Sequence, residues 1–137
     1  MSQFNPQPLT LEAQQVYAGA AFPLFYAADS RGTASAIQHW VADNKQRLER
    51  ELAVHGAILF RGFGVGDDQG FDEFIRAFEW PNFTYAESLS NAVRRNRTEL
   101  VFTANEAPAS VSIFLHHEMA QTPIYPSKLF FFCERSE

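Results

Sequence analysis

Apolar positions along the chain follow two rhythms, one helical and one strand-like, and the helical one is clearest in the first half. Ile37, Val41, Leu48 and Leu52 recur every three or four residues, with Asn44 the polar member of the same face and Trp40 beside it. This spacing predicts a helix from about Ala34 to Val54. Thr33 stands before it with a hydroxyl that can accept from a first-turn amide, and Gly56 follows with access to the left-handed conformation that ends many helices. Phe71, Phe74, Ile75 and Phe78 repeat the pattern and predict a second helix over Gly70 to Trp80, opened by Asp67 or Asp68 and closed by Pro81. Between the two, the short apolar run Ala57 to Phe60 reads as a buried strand, with Gly62, Gly64 and Gly66 marking the turn beyond it.

The rest of the chain is strand-like or aperiodic. "PQPLTLEAQQVYAG" alternates around Leu9 and Leu11 and predicts a short strand followed by a loop. Asn82 to Glu99 show no period and read as an irregular connection. "LVFTA", "SVSIFLHHE" and "SKLFFFCE" predict three strands, separated by Pro-containing segments at Pro108 and at Pro123 to Pro126. Helices and one strand come first and strands follow in a row, an order that suggests α+β rather than a doubly wound sheet. "LFFFC", Leu129 to Cys133, is apolar at every position, as a strand covered on both faces would be, yet it lies close to the last residue. An uncovered hydrophobic edge strand templates association. The expectation is therefore a single domain over residues 1–137 that is cut short at its C-terminus and can self-associate through Leu129 to Cys133.

Composition narrows the function classes. With 137 residues, 46% hydrophobic, and 14 phenylalanines, the chain can bury one Phe-rich core. A net charge of −5 gives no basic stripe for phosphate, and Arg94, Arg95 and Arg97 form the only tight basic cluster, so nucleic acid is not an expected partner. The lone Cys133 forms no internal disulfide, and "MSQFNPQPLT" lacks the features of a signal peptide, which points to a cytoplasmic location. The longest apolar run, Ala18 to Ala28, is too short to span a bilayer and is broken by Pro23, so no membrane segment is expected.

Candidate chemistry sits in "SIFLHHEMAQTP", Ser112 to Pro123. On a strand, His116 and Glu118 point to one side and His117 to the other. One imidazole nitrogen and one carboxylate oxygen can take two adjacent positions on a metal, and a histidine from another strand would complete a facial triad with open positions. The spacing alone also fits polar residues at a strand end.

The surrounding sequence adds to this. "LVFTANEAPASVSIFLHHEMAQTPIYPSKLFFFCE", Leu100 to Glu134, closely resembles a segment of the TauD/TfdA-like family of Fe(II)/2-oxoglutarate-dependent dioxygenases, and "HGAILFRGFGV", His55 to Val65, resembles the same family's "RGF" strand. The match runs from roughly Ile37 to the last residue. The resemblance implies the N-terminal portion of a double-stranded β-helix, or jelly roll, with His116 and Glu118 as the first two iron ligands. It also implies that Thr103 and Asn105 line the pocket of a small-molecule substrate, with Fe(II) and 2-oxoglutarate as cofactors of the complete enzyme. Relatives with this signature often modify amino acids or secondary metabolites by hydroxylating a C–H bond.

Two departures matter. His117 stands where close relatives often have asparagine, and it reads as exposed or supporting rather than as a ligand. More seriously, the family's distal histidine and its 2-oxoglutarate-binding arginine lie downstream of the first motif, beyond this chain's last residue. His39 and His55 precede the motif and read as surface or helix-end residues. Asn105 opens "NEAP" and could equally serve a turn. Arg61 reads as paired with a carboxylate inside the fold, Met119 as a core residue, and Cys133 as an inert buried thiol. The alternative to an enzyme fragment, inactive alone, is a non-catalytic binding or interaction module retaining half of the fold. A two-ligand zinc site is a third reading, weakened because structural zinc normally takes four protein ligands.

Overall fold

The computed structural model describes residues 4–29, 31–83, 94–104, 106–120 and 122–135. Five short strands and two helices follow one another in its first part: β1 (Gln7–Leu9), β2 (Gln15–Tyr17), β3 (Ala20–Phe22), β4 (Leu24–Ala27), α1 (Ala34–His55), β5 (Ile58–Arg61) and α2 (Asp68–Arg76). Helix and strand are thus mixed, as the sequence suggested. A three-stranded sheet has the order β1-β4-β5, with β1 antiparallel and β5 parallel to β4. The parallel pair needs a crossover, and α1 supplies it. Strands β2 and β3 form a separate antiparallel hairpin. Its two turn residues, Ala18 and Gly19, have φ of 50° and 83°, the positive pair that matches the twist of a tight hairpin.

Helix α1 forms where its spacing predicts. The Thr33 hydroxyl accepts from Ala36 N–H at 3.2 Å, and Gly56, at φ 73°, donates its N–H to the Leu52 carbonyl. Ile37, Trp40, Val41 and Leu48 are its buried face, while the Asn44 amide donates back to the Trp40 carbonyl at 2.7 Å and so takes no unpaired polar group into the core. Helix α2 is capped by Asp67, whose carboxylate accepts from Gly70 N–H at 2.8 Å. It ends at Arg76 rather than at Trp80, and Glu79 turns left-handed with φ 51° before Pro81. Phe78 stays buried even so.

The core joins both helices to the sheet through rings. Trp40 meets Phe60 and Phe63 edge to face, and Phe74 meets Phe60, Phe63 and Phe78, all at 5.2–6.4 Å between centroids with the Phe60–Phe63 pair. Such edge-to-face pairs add to the stabilisation that burying the rings provides. Tyr26 is buried among them and donates its hydroxyl to Glu51 at 2.9 Å, and burial followed by that carboxylate pushes its pKa up to about 12. Just past β5 the chain must pass close to β4. A Cβ on Gly62 would lie 2.6 Å from the Ala28 carbonyl oxygen, and φ there is 75°, so both space and conformation require glycine.

Several expectations need correcting. The strand predicted at Leu9 exists, but the loop after it holds β2, β3 and β4, because the apolar run Ala18 to Ala28 folds back and then pairs with β5. Conversely, "LVFTA", "SVSIFLHHE" and "SKLFFFCE" form no ladders. Among the described residues there, the one β-bridge is Asn96 with Phe102. A strand needs a neighbour for its amides and carbonyls, and among the described residues these segments find no more of one than that single bridge. Leu129 to Cys133 is covered on one side only. Phe130 packs on Phe78 at 5.2 Å and Phe132 on Phe71 at 5.3 Å, whereas Leu129, Phe131 and Cys133 face outward. Cys133 is therefore exposed, not buried. Arg61 is likewise exposed rather than paired inside the fold, and Met119 is buried as expected. Among the described residues no helix is long and apolar enough to cross a membrane.

Candidate metal site

Helix α2 anchors the segment that approaches the candidate site. Asp72 is buried on α2, and its carboxylate accepts from the Thr98 hydroxyl, from Leu100 N–H at 3.3 Å and from Arg76. Burial pushes this carboxyl up, but the hydroxyl, guanidinium and amide together outweigh it and hold the pKa below the usual value. Arg97 reaches Asp68 at 2.9 Å, a hydrogen bond that also lowers the Asp68 pKa. Backbone bonds from Arg97 N–H to Val101 O at 2.8 Å and from Thr103 N–H to Arg95 O at 3.0 Å close a tight turn. That turn places Arg94 and Thr103 side by side at its open end.

His116 and Glu118 come together, although not by the strand alternation the spacing implied. They lie outside any strand, and the turn at 118–120, with Met119 at φ 58°, brings the carboxylate back toward the ring. His116 Nε2 and Glu118 Oε2 are 3.8 Å apart. His116 Nδ1 lies 2.7 Å from the Phe114 carbonyl. A carbonyl only accepts, so Nδ1 is the donor of this pair and Nε2 is the ring nitrogen turned toward Glu118. Metal-bound histidines are oriented in this way, by a second hydrogen bond on the far nitrogen.

The donor set fits a divalent ion in part. Two neighbouring ligands at about 2.1 Å from an octahedral ion sit roughly 3 Å apart, so the pair needs to close by about 1 Å. Among the described residues no group of three His, Cys, Asp or Glu side chains could hold a metal. His39 is held on α1 by the Ser35 carbonyl at 2.7 Å and His55 ends α1 against the Ala21 carbonyl at 2.7 Å, so neither joins the pair. His117 is exposed, and its carbonyl accepts from Ala120 N–H.

An open cleft of about 1740 Å³ contains the pair, with Arg94, Thr103, Ile113 and Phe131 among its lining. The Thr103 hydroxyl accepts from Arg95 N–H at 3.0 Å, which leaves its own proton to donate into the cleft. Asn105 lies outside the described residues. The arginine cluster that stood out in the sequence is shared among carboxylates: Arg94 with Glu118 at 2.9 Å, Arg95 with Glu106 at 3.1 Å and Arg97 with Asp68 at 2.9 Å. Arg94 is the site residue that sequence reasoning missed. Its cluster was visible, but a partner 24 residues away has no periodic signal.

Comparison with known proteins identifies the family. Residues 21–137 match the family described as Taurine catabolism dioxygenase TauD, TfdA family. A clavaminate synthase-like protein of Arabidopsis thaliana is 42% identical over 94 residues, covering 69% of this chain and 28% of that protein. The dapdiamide synthesis protein DdaC of Enterobacter agglomerans is 30% identical over 89 residues, covering 65% of this chain and 26% of that protein. The aligned part thus spans little more than a quarter of either relative.

Proposed function

The chain belongs to the TauD/TfdA dioxygenase family, and on that premise we propose that its His116 and Glu118 are two ligands of the Fe(II) in a 2-oxoglutarate-dependent enzyme that hydroxylates a small molecule. The observation that carries this reading is the oriented pair: Nε2 turned toward Oε2 at 3.8 Å, with Nδ1 held by the Phe114 carbonyl. When bound, iron and 2-oxoglutarate would supply the oxidising power for cleaving a C–H bond. His116 and Glu118 hold the ion, and Thr103, with Asn105, contacts the substrate in the cleft. The third ligand and the arginine for 2-oxoglutarate come from outside the described residues, and the segment from Arg94 onward forms part of a jelly roll in the complete enzyme. An amino acid or a related secondary metabolite is the proposed substrate, a reading supported by the relative named for dapdiamide synthesis.

The test is succinate release from 2-oxoglutarate with Fe(II), by the product of the complete reading frame. His116→Ala and Glu118→Gln are expected to lower it by at least the roughly 100-fold that losing an outer partner can cost. Undiminished release by His116→Ala would overturn the assignment. The 137-residue chain alone is expected to bind iron weakly and to release no succinate above its His116→Ala control.

A further inference from the structure

We propose that Arg94 is a positioning residue for Glu118: it holds Oε1, so that a cation shared with His116 meets the carboxylate through Oε2 alone. The inference rests on the metal reading above. Arg94 Nη2 lies 2.9 Å from Glu118 Oε1, while Oε2 is the oxygen that faces His116. The guanidinium is itself fixed. Nη1 donates to the Ala104 carbonyl and, at 3.4 Å, to that of Thr103, and the group lies over the Phe102 ring at 5.6 Å. A planar fork held on two sides keeps one orientation, which a flexible ammonium would not.

Enclosure separates this ion pair from the others. The Arg94 and Glu118 side chains are 15% and 19% exposed, and among the described residues no other ion pair has both partners so covered. Arg95, by contrast, is 77% exposed beside Glu106. Two consequences follow for a metal. Glu118 takes up one coordination position instead of two, which leaves room for small-molecule ligands on the ion. The neighbouring cation also opposes the metal's charge, so Arg94 lowers affinity while it fixes geometry.

Mn(II) binding by the full chain tests this, read by titration and by the Mn(II)-induced infrared difference spectrum. A carboxylate bound through one oxygen shows widely separated antisymmetric and symmetric stretching bands, and one bound through two oxygens shows them closer together. Glu118→Gln identifies the bands by removing them. Arg94→Met is expected to bring the bands together and to tighten Mn(II) binding about tenfold, whereas Arg94→Lys, which keeps the charge but not the planar fork, is expected to bring the bands together without the gain in affinity. Circular dichroism verifies folding, and Arg94→Gln, expected to shift the same way, replaces Arg94→Met if that variant does not fold. Unchanged bands and affinity on loss of the arginine, with binding abolished in His116→Ala, would overturn the role of Arg94 and leave the metal site standing. Binding that survives His116→Ala and Glu118→Gln unaltered, or no Mn(II) effect on the wild type, overturns both.

Discussion

Leu48 and Leu115 are the same residue in two unlike halves of the molecule. Leu48 is 2% exposed on the inner face of α1, while Leu115, one residue before His116, is fully exposed. The contrast extends to the rings: Phe74 and Phe78 are packed between the helices and the sheet, and Phe114 and Phe131 face outward. Both halves are rich in apolar residues. What differs is partnership: α1 satisfies its own backbone and brings a face to the sheet, whereas among the described residues the segments around Phe114 and Phe131 have no neighbouring strand. Apolar content creates a demand for burial, and only a neighbour meets it.

The largest effect should come from testing that contrast with one substitution made twice. Leu48→Ala is expected to cost about 2–5 kcal/mol, as buried leucines do, and Leu115→Ala to stay within about 0.5 kcal/mol. Denaturant unfolding measures both, and an equal cost at the two sites would break the comparison. Next is the link between the halves. Asp72→Asn leaves Thr98, Arg76 and Leu100 N–H without their carboxylate and should cost about 1–3 kcal/mol. The sign of its pH dependence follows from the lowered folded pKa: the contribution is fully present above about pH 4, the unfolded value, and is lost as pH falls through the folded value. Asp72→Asn should therefore flatten the acid limb of a stability-against-pH curve, and an unaltered limb would show that Asp72 is not the link. Smaller still, Tyr26→Phe removes the hydroxyl held by Glu51 and should lower stability by about 1 kcal/mol in the same unfolding assay.

Legibility followed the same division. Helix α1 with both caps, β5 and the start of α2 could be read directly, because periodicity and capping are local. The end of α2 was missed, since Phe78 continues the apolar spacing while the backbone has already turned at Glu79. Strand β4 was hidden inside Ala18 to Ala28, a run whose pairing with β5 across α1 is tertiary. At the candidate site, spacing and family resemblance singled out His116 and Glu118 as a pair, but the means of bringing them together is a turn at Met119. The cluster that holds Arg94 was visible, but its role was not legible, since that depends on a contact between distant segments.

His116→Ala should be the least consequential of these changes for stability, within about 0.5 kcal/mol, because the ring is exposed. Yet it removes half of the proposed ligand pair. The most direct test is therefore paramagnetic broadening of the histidine ring signals of the full chain by Mn(II), followed by nuclear magnetic resonance. The account predicts that the His116 signals broaden at Mn(II) levels that leave His39 and His55 sharp, and that Glu118→Gln removes the effect. Equal broadening of His39, His55 and His116, or broadening of His116 that persists in Glu118→Gln, would contradict it.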